Sequence, residues 1–132
     1  MEVQNVAAVL AAAPELIITE ATTAEEVGAT ARHFGTFDEH RLAGRRWQDL
    51  SPWERHPDGD ELLIPLDGTV EVTLLTDDAE HKLTLSAGSI FVVPRGLWHR
   101  RYAESTVTSF GVNSVGDDEI SFAEDPRAEW SS

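Results

Sequence analysis

Short β-type segments separated by turn residues dominate the chain from Gly35 onward, and they restrict the folds that it can adopt. Over residues 69–75, apolar side chains alternate with Thr and Glu, which is typical of a strand with one buried face. Residues 76–80 have the composition of a hairpin loop, after which Leu83 and Leu85 resume the alternation. Many short strands with closely spaced turns are typical of a sandwich or a barrel. The pattern therefore predicts a mainly β protein.

The N-terminal part of the chain has a different pattern. Apolar residues recur at helical spacing over residues 3–13 and predict a short helix that ends before Pro14. Residues 15–21 predict a short strand, and the capping-box sequence at residues 23–26 predicts a second short helix. The chain is therefore expected to have three parts: an N-terminal helical and extended segment that packs on the barrel (1–34), a β-barrel (35–115) and an acidic C-terminal tail (116–132).

Length and composition exclude several classes of protein. The 132 residues suffice for one domain, which buries about two-thirds of the surface of its unfolded chain. The net charge of −14 argues against binding to nucleic acids and anionic membranes, because both would repel it. No cysteine is present, which excludes disulfides and sulfur-ligated zinc and agrees with a cytoplasmic location. The apolar run 6–13 is too short to cross a bilayer. A signal peptide has Lys or Arg before its apolar run, and this chain has neither there.

Two segments, 53–68 and 88–99, contain the residues best suited to chemistry. Glu54 and His56 are one residue apart, so on a strand both side chains point to the same face, while Trp53 and Arg55 point outward. If that face is the interior of a barrel, one imidazole and one carboxylate lie together inside it.

Two further groups follow turns. Residues 57–60 have a turn sequence, and we expect a hairpin that brings Glu61 back beside His56. The turn at residues 94–96 places His99 at the start of another strand. Two imidazoles and two carboxylates suit one divalent transition metal, Fe, Mn, Ni or Zn, whose identity the sequence leaves open.

The second segment resembles a sequence motif of the cupin superfamily. That motif contains a Gly, a Pro-x-Gly turn and a His, and its spacing is matched in full by Gly88, Pro94, Gly96 and His99. The position of its terminal Asn holds Ala103 instead.

The first segment resembles the other cupin motif, which has a His-x-His pair, a Glu and a Gly. Glu61 and Gly68 match its Glu and Gly, and His56 matches its second His, whereas Glu54 replaces the first His. The resemblance, over roughly residues 44–112, implies a jelly-roll barrel (double-stranded β-helix) with a metal held by Glu54, His56, Glu61 and His99. Glu54 is either a fourth ligand or a free catalytic base.

Arg101 is the candidate for binding a ligand or cofactor. It follows His99 by two residues, so both should point into the barrel, where an arginine would bind a carboxylate or phosphate or pair with an internal acid. An exposed arginine is the alternative. The resemblance also implies a homodimer, for which the apolar strand 90–93 and the outward residues of strand 62–66 would form an interface.

Three classes of function are compatible with these residues. The first is a metal-dependent enzyme acting on a small organic molecule by dioxygenase-, isomerase- or lyase-like chemistry, and it is favoured because three metal-type positions are kept. The second is a non-catalytic ligand-binding or sensor domain, and the third is a structural or assembly role. One fold hosts many functions, so the fold itself does not decide among them.

Overall fold

The computed structural model describes residues 2–130, which form ten strands and three short helices. The elements follow one another along the chain as α1 (Val6–Ala11), β1 (Glu15–Ile17), α2 (Ala24–Thr30), β2 (Arg32–Phe37), β3 (His40–Leu50), β4 (Trp53–Arg55), β5 (Glu61–Pro65), β6 (Thr69–Leu75), β7 (Glu80–Ser86), β8 (Phe91–Val93), β9 (Trp98–Ser114), β10 (Glu119–Ser121) and α3 (Pro126–Trp130). The prediction of a mainly β protein is confirmed.

Strand β9, 17 residues long, organises the sheet because four other strands pair with it. Its first half pairs antiparallel with β6, and its second half pairs with β5. On its other edge it pairs with β3 and, at one position, with β4. Within residues 2–130 the hydrogen-bonded ladder does not close into a complete ring.

The alternation seen in the sequence sets the core. In β6, Val70, Val72 and Leu74 are buried, and they pack with Trp47 and Val107 in one central cluster. The predicted hairpin after β6 forms, with Leu75 opposite Glu80 in the β6–β7 pair.

The N-terminal strands β1 and β2 are part of the sheet. Strand β1 pairs parallel with β3, and β2 pairs antiparallel with the same strand. Helix α2 begins at the predicted capping box, in which Thr23 and Glu26 exchange side-chain and backbone hydrogen bonds. At seven residues it is the longest helix described, and no helix in residues 2–130 is long and apolar enough to cross a membrane.

A second, smaller cluster lies outside the barrel. It consists of Trp53, Leu75 and Trp98, and Trp53 is only 3% exposed although it points outward as predicted. The C-terminal segment covers it, since the indole Nε1–H of Trp53 donates to the carbonyl of Glu124 and β10 pairs with β4. The segment that follows β9 therefore lies against the strand that carries Glu54.

Candidate metal centre

Two loops position the side chains of the site. The turn after β8 places Gly96 at φ +77, a left-handed backbone conformation that glycine adopts without strain. The Gly96 N–H donates to the carbonyl of His56 at 3.0 Å, and the Arg95 N–H donates to the Asp60 carboxylate at 2.8 Å. The two sequence segments are therefore tied together by backbone amides where their chemical groups meet.

The predicted hairpin between His56 and Glu61 is wrong. Strand β4 pairs with β9 and β10, whereas β5 pairs with β8 and β9. The loop between them is bound to the turn at residues 94–96 instead, and Pro57 cannot donate to a ladder at its start. Glu61 therefore reaches His56 through the interior of the barrel and not as its neighbour across a hairpin.

The structure nevertheless brings all four predicted residues together. Potential ligand atoms of Glu54, His56, Glu61 and His99 lie within 4.8 Å of one another. The Glu61 carboxylate contacts the Nε2 of His56 and lies 3.1 Å from the Nε2 of His99. The Glu54 carboxylate lies 3.7 Å from the His56 Nε2. His56, Glu61 and His99 are buried, and Glu54 is partly exposed at the edge of the group.

Contacts of the Nδ1 atoms orient the imidazole rings of His56 and His99. The Nδ1 of His99 lies 3.1 Å from the carbonyl of Leu97, which can only accept, so a hydrogen bond here requires the proton on Nδ1. The Nδ1 of His56 lies 2.7 Å from the carboxylate of Asp118. Metal-binding histidines in proteins commonly donate their second N–H to a carbonyl or carboxylate in this way. Both Nε2 atoms are thereby directed to the carboxylate of Glu61.

The protonation of the group follows from its burial and its charges. Burial alone lowers the pKa of His56, but contact with Glu61, Asp118 and Glu54 outweighs it and raises the pKa to about 9. Burial alone raises the pKa of Glu61, but close contact with the rings of His56 and His99 and the charge of Arg101 bring the pKa far below its usual range. At neutral pH and without metal, the centre is therefore a buried imidazolium–carboxylate pair.

The residues present fit a divalent metal. The Nε2 of His56 is buried and has no hydrogen bond of acceptable geometry within residues 2–130, although it touches the Glu61 carboxylate. A buried polar atom without a hydrogen bond is costly, and an ion between Nε2 and the carboxylates would satisfy it. Two imidazoles and two carboxylates form a mixed nitrogen and oxygen donor set that first-row transition metals accept.

A cavity of about 310 Å³ adjoins this centre. Glu54 and Glu61 belong to its wall, so the cavity reaches the site through the two carboxylates. Arg101 lines it as well, which agrees with its predicted inward direction, and so do Arg45 and Trp47. The volume is at the small end of the range for ligand pockets in proteins.

Sequence reasoning missed three residues of the site and its cavity: Arg45, Trp47 and Asp118. Alternation along β3 places Arg45 and Trp47 on one face, and this signal was present in the sequence. Asp118 is 62 residues from His56 and lies between β9 and β10, so no local pattern connects the two.

Comparison with known proteins agrees with this geometry. Residues 48–109 match the family model described as a cupin domain. The part of the chain that matches this cupin model is its central segment, which is slightly less than half of the 132 residues. A curated relative, germin-like protein 5-1 from Oryza sativa subsp. japonica, is 41% identical over 51 residues, which are 38% of this chain and 23% of that protein. Putative germin-like protein 2-3 from the same source is 32% identical over 66 residues, 48% of this chain and 30% of that protein. The chain thus spans less than a third of the length of these relatives.

Solved structures establish the cupin fold. Hydroquinone 1,2-dioxygenase from Sphingomonas sp. TTNP3, with 4-hydroxybenzoate bound, superimposes with a TM-score of 0.64 at 20% identity, covering 86% of this chain and 74% of that one. A cupin-2 domain protein from Shewanella frigidimarina superimposes with a TM-score of 0.57 at 22% identity, covering 65% and 80%. At these identities the likeness shows the fold alone, and it confirms the predicted jelly-roll class.

Proposed function

We propose that this cupin is a metal-dependent enzyme that acts on a small organic molecule. The observation that carries the proposal is the convergence of two buried imidazoles, a buried carboxylate and the carboxylate of Glu54 beside a cavity. In this proposal Glu54, His56, Glu61 and His99 hold one divalent ion, and Arg101 binds the substrate. The reaction is of dioxygenase, isomerase or lyase type.

The residues of the proposed centre have different roles in this proposal. A bound Fe, Mn, Ni or Zn ion would supply Lewis acidity, and Fe or Mn would add redox chemistry. Glu54 is the carboxylate best placed to move a proton, because it is partly exposed and lines the cavity, while Glu61 is buried between two imidazoles. Asp118 and the Leu97 carbonyl hold the two rings in place.

The named activities of structural neighbours suggest where a substrate search should start. One neighbour is a hydroquinone 1,2-dioxygenase solved with Cd²⁺ and 4-hydroxybenzonitrile, and another was solved with 4-hydroxybenzoate. Small ring compounds would also match the cavity's volume and the indole of Trp47 in its wall.

Metal reconstitution followed by a substrate screen tests the proposal. Full-length protein is stripped with a chelator, and Fe(II), Mn(II), Ni(II) and Zn(II) are added separately. We expect each chain to bind about one equivalent of one of these metals. We also expect metal-dependent conversion of a small organic compound, which oxygen-uptake measurements and mass spectrometry would detect. Failure to bind any of the four metals would contradict the proposal.

A non-catalytic ligand-binding or sensor domain is the second candidate. The replacement of the first motif histidine by Glu54 favours it, because a second carboxylate lowers the Lewis acidity of a bound metal. The two candidates differ in the fate of the ligand. When the ligand is added until the metal-loaded protein is saturated, a sensor later releases the ligand unchanged, whereas an enzyme converts it over more than one turnover.

Metal binding should release a proton from His56. Its pKa of about 9, raised above the ordinary 6.5, keeps the imidazole charged at pH 7.5, and only the neutral ring can bind a metal. We expect about one proton per metal at pH 7.5, with release disappearing as the pH rises through 9. Calorimetric titration in two buffers of different ionisation enthalpy measures this number. Identical heats in both buffers would show that His56 takes no part.

A homodimer is the further expectation for this cupin. Leu66 directly follows β5, Ile90 directly precedes β8 and Val92 lies in β8, and these apolar side chains are 37%, 67% and 48% exposed, so a partner chain could cover them. Light scattering at micromolar concentration should give twice the mass of one chain, and Ile90→Glu should shift the protein to monomer. Phe37→Glu, at a different exposed apolar site, serves as the control. A monomeric wild-type protein would reject the interface.

A further inference from the structure

Two arginines line the cavity that adjoins the proposed metal centre. Arg45 comes from β3 and Arg101 from β9, and both belong to the same cavity wall as Glu54 and Glu61. Burial, followed by the like charge of Arg101 and partly opposed by Glu54, lowers the pKa of Arg45 to about 10. The two guanidinium groups are therefore close enough to repel each other in a poorly solvated space.

The hydrogen-bond partners of Arg45 and the ring contact of Arg101 are neutral. The Nε–H of Arg45 donates to the Thr30 hydroxyl at 3.1 Å and an Nη2–H donates to the Val27 carbonyl at 2.8 Å, which uses two of its five N–H groups. The guanidinium of Arg101 lies over the ring of Trp47 at 5.5 Å. Within residues 2–130 no side-chain hydrogen bond is formed by Arg101. Each arginine thus keeps donors for a further acceptor.

The charges of the cavity wall leave room for an anion. Its three arginines, the third being Arg41, are balanced by the carboxylates of Glu54, Glu61 and Asp118. A divalent ion at the proposed centre would leave an excess of two positive charges in a partly enclosed space. An anion is the ligand that would neutralise this excess, and partial exclusion of water from the cavity strengthens the attraction.

We propose that Arg101 and Arg45 bind the carboxylate of a small organic acid whose apolar body lies against Trp47 and Leu63. This inference rests on the proposed function and names the substrate class of the same site. A planar carboxylate matches the fork of a guanidinium, and the rest of the wall offers apolar side chains to a ring or short chain.

A phosphate group fits the cavity less well than a carboxylate. Arg45 contacts the C-terminal half of α2, where the carbonyl groups carry partial negative charge. This charge disfavours a dianion beside Arg45. Glu54 and Glu61 in the same wall would also repel a dianion more strongly than a monoanion. The binding data below distinguish the two.

Calorimetric binding to Mn(II)-loaded, full-length protein tests the inference with three probes: benzoate, its neutral analogue benzamide, and inorganic phosphate. We expect saturable binding of benzoate and at least tenfold weaker binding of both others. Arg101→Gln should weaken benzoate binding by about 10- to 100-fold, the loss expected for a charge-assisted hydrogen-bonded pair. Arg101→Lys keeps the charge without the fork and should give a smaller loss.

Arg100→Gln is the matched control. Arg100 is adjacent in sequence but lies over Trp53 on the outer side of the barrel, so its replacement should leave benzoate affinity unchanged. Metal content and thermal unfolding are measured on every sample, and Arg101→Lys remains informative if Arg101→Gln does not fold.

Each outcome bears on one of the two proposals. Equal affinity for benzoate and benzamide, preferred binding of phosphate, or unchanged benzoate affinity in folded Arg101 variants would each overturn the carboxylate site while metal binding stands. Absence of metal in the wild-type protein would instead contradict the proposed enzyme. If the protein binds no metal, benzoate binding to the wild-type protein that is lost in Arg101→Gln would still support the arginine site.

Discussion

Replacing His99 with alanine is expected to weaken metal binding by more than about 100-fold, because even loss of an outer hydrogen-bond partner of a metal ligand costs 10- to 100-fold. His99 is 1% exposed, and its Nε2 lies 3.1 Å from the Glu61 carboxylate at the centre of the group. Dialysis against each metal, followed by elemental analysis, gives the number of ions per chain before and after the substitution.

His81→Ala is the control for this experiment. His81 is exposed on β7, where Thr76 is its side-chain neighbour, and its replacement should leave the metal content unchanged. If His99→Ala altered the oligomeric state and kept the metal, the assembly role would replace the enzyme as the better explanation. Circular dichroism on both variants separates a lost ligand from a lost fold.

Replacing Asp118 with alanine should weaken intrinsic metal affinity by about tenfold, although Asp118 itself does not belong to the four-residue cluster. Its carboxylate lies 2.7 Å from the Nδ1 of His56 and fixes the ring so that Nε2 points to Glu61. Because Asp118 also helps to raise the pKa of His56, its loss reduces proton competition and partly hides the effect at pH 7.5. Chelator competition from pH 7 to 9 therefore gives the clearest measurement, with the full loss visible near pH 9.

Asp118→Asn and Asp117→Asn complete this series. Asparagine keeps an acceptor for the His56 N–H, so Asp118→Asn should recover most of the affinity lost in the alanine variant. Asp117 carries the same charge one position earlier on the exposed loop, and its replacement should have no effect. A loss of similar size in all three variants would indicate a general effect of negative charge on the metal rather than orientation of the ring.

The parts of the fold that could be predicted are those with a local signal. Alternation predicted β6 and the hairpin after it, and Thr23 with Glu26 predicted the start of α2. The spacing from Gly88 to His99 contains a complete turn and the start of a strand, so one short segment predicted the cupin domain that residues 48–109 match. Each of these features is determined by residues that are close in sequence.

The parts that could not be predicted depend on contacts between distant segments. The partner of Asp118 is 62 residues away, and the cover over Trp53 comes from Glu124, 71 residues away. The route from His56 to Glu61 was predicted as a hairpin because a four-residue turn sequence is present, yet hydrogen bonds to Arg95 and Gly96 direct the loop elsewhere. Turn composition shows that the chain reverses but does not identify the strand that it joins.

The length and late position of β9 have a consequence for biosynthesis. Strands β3, β4, β5 and β6 all pair with it, so they lack one neighbour until residues 98–114 have left the ribosome. His99 itself lies in that stretch, and Asp118 comes after it. A nascent chain arrested before residue 98 therefore lacks His99 and Asp118, and the proposed metal centre could be completed only after residues 98–118 have been translated.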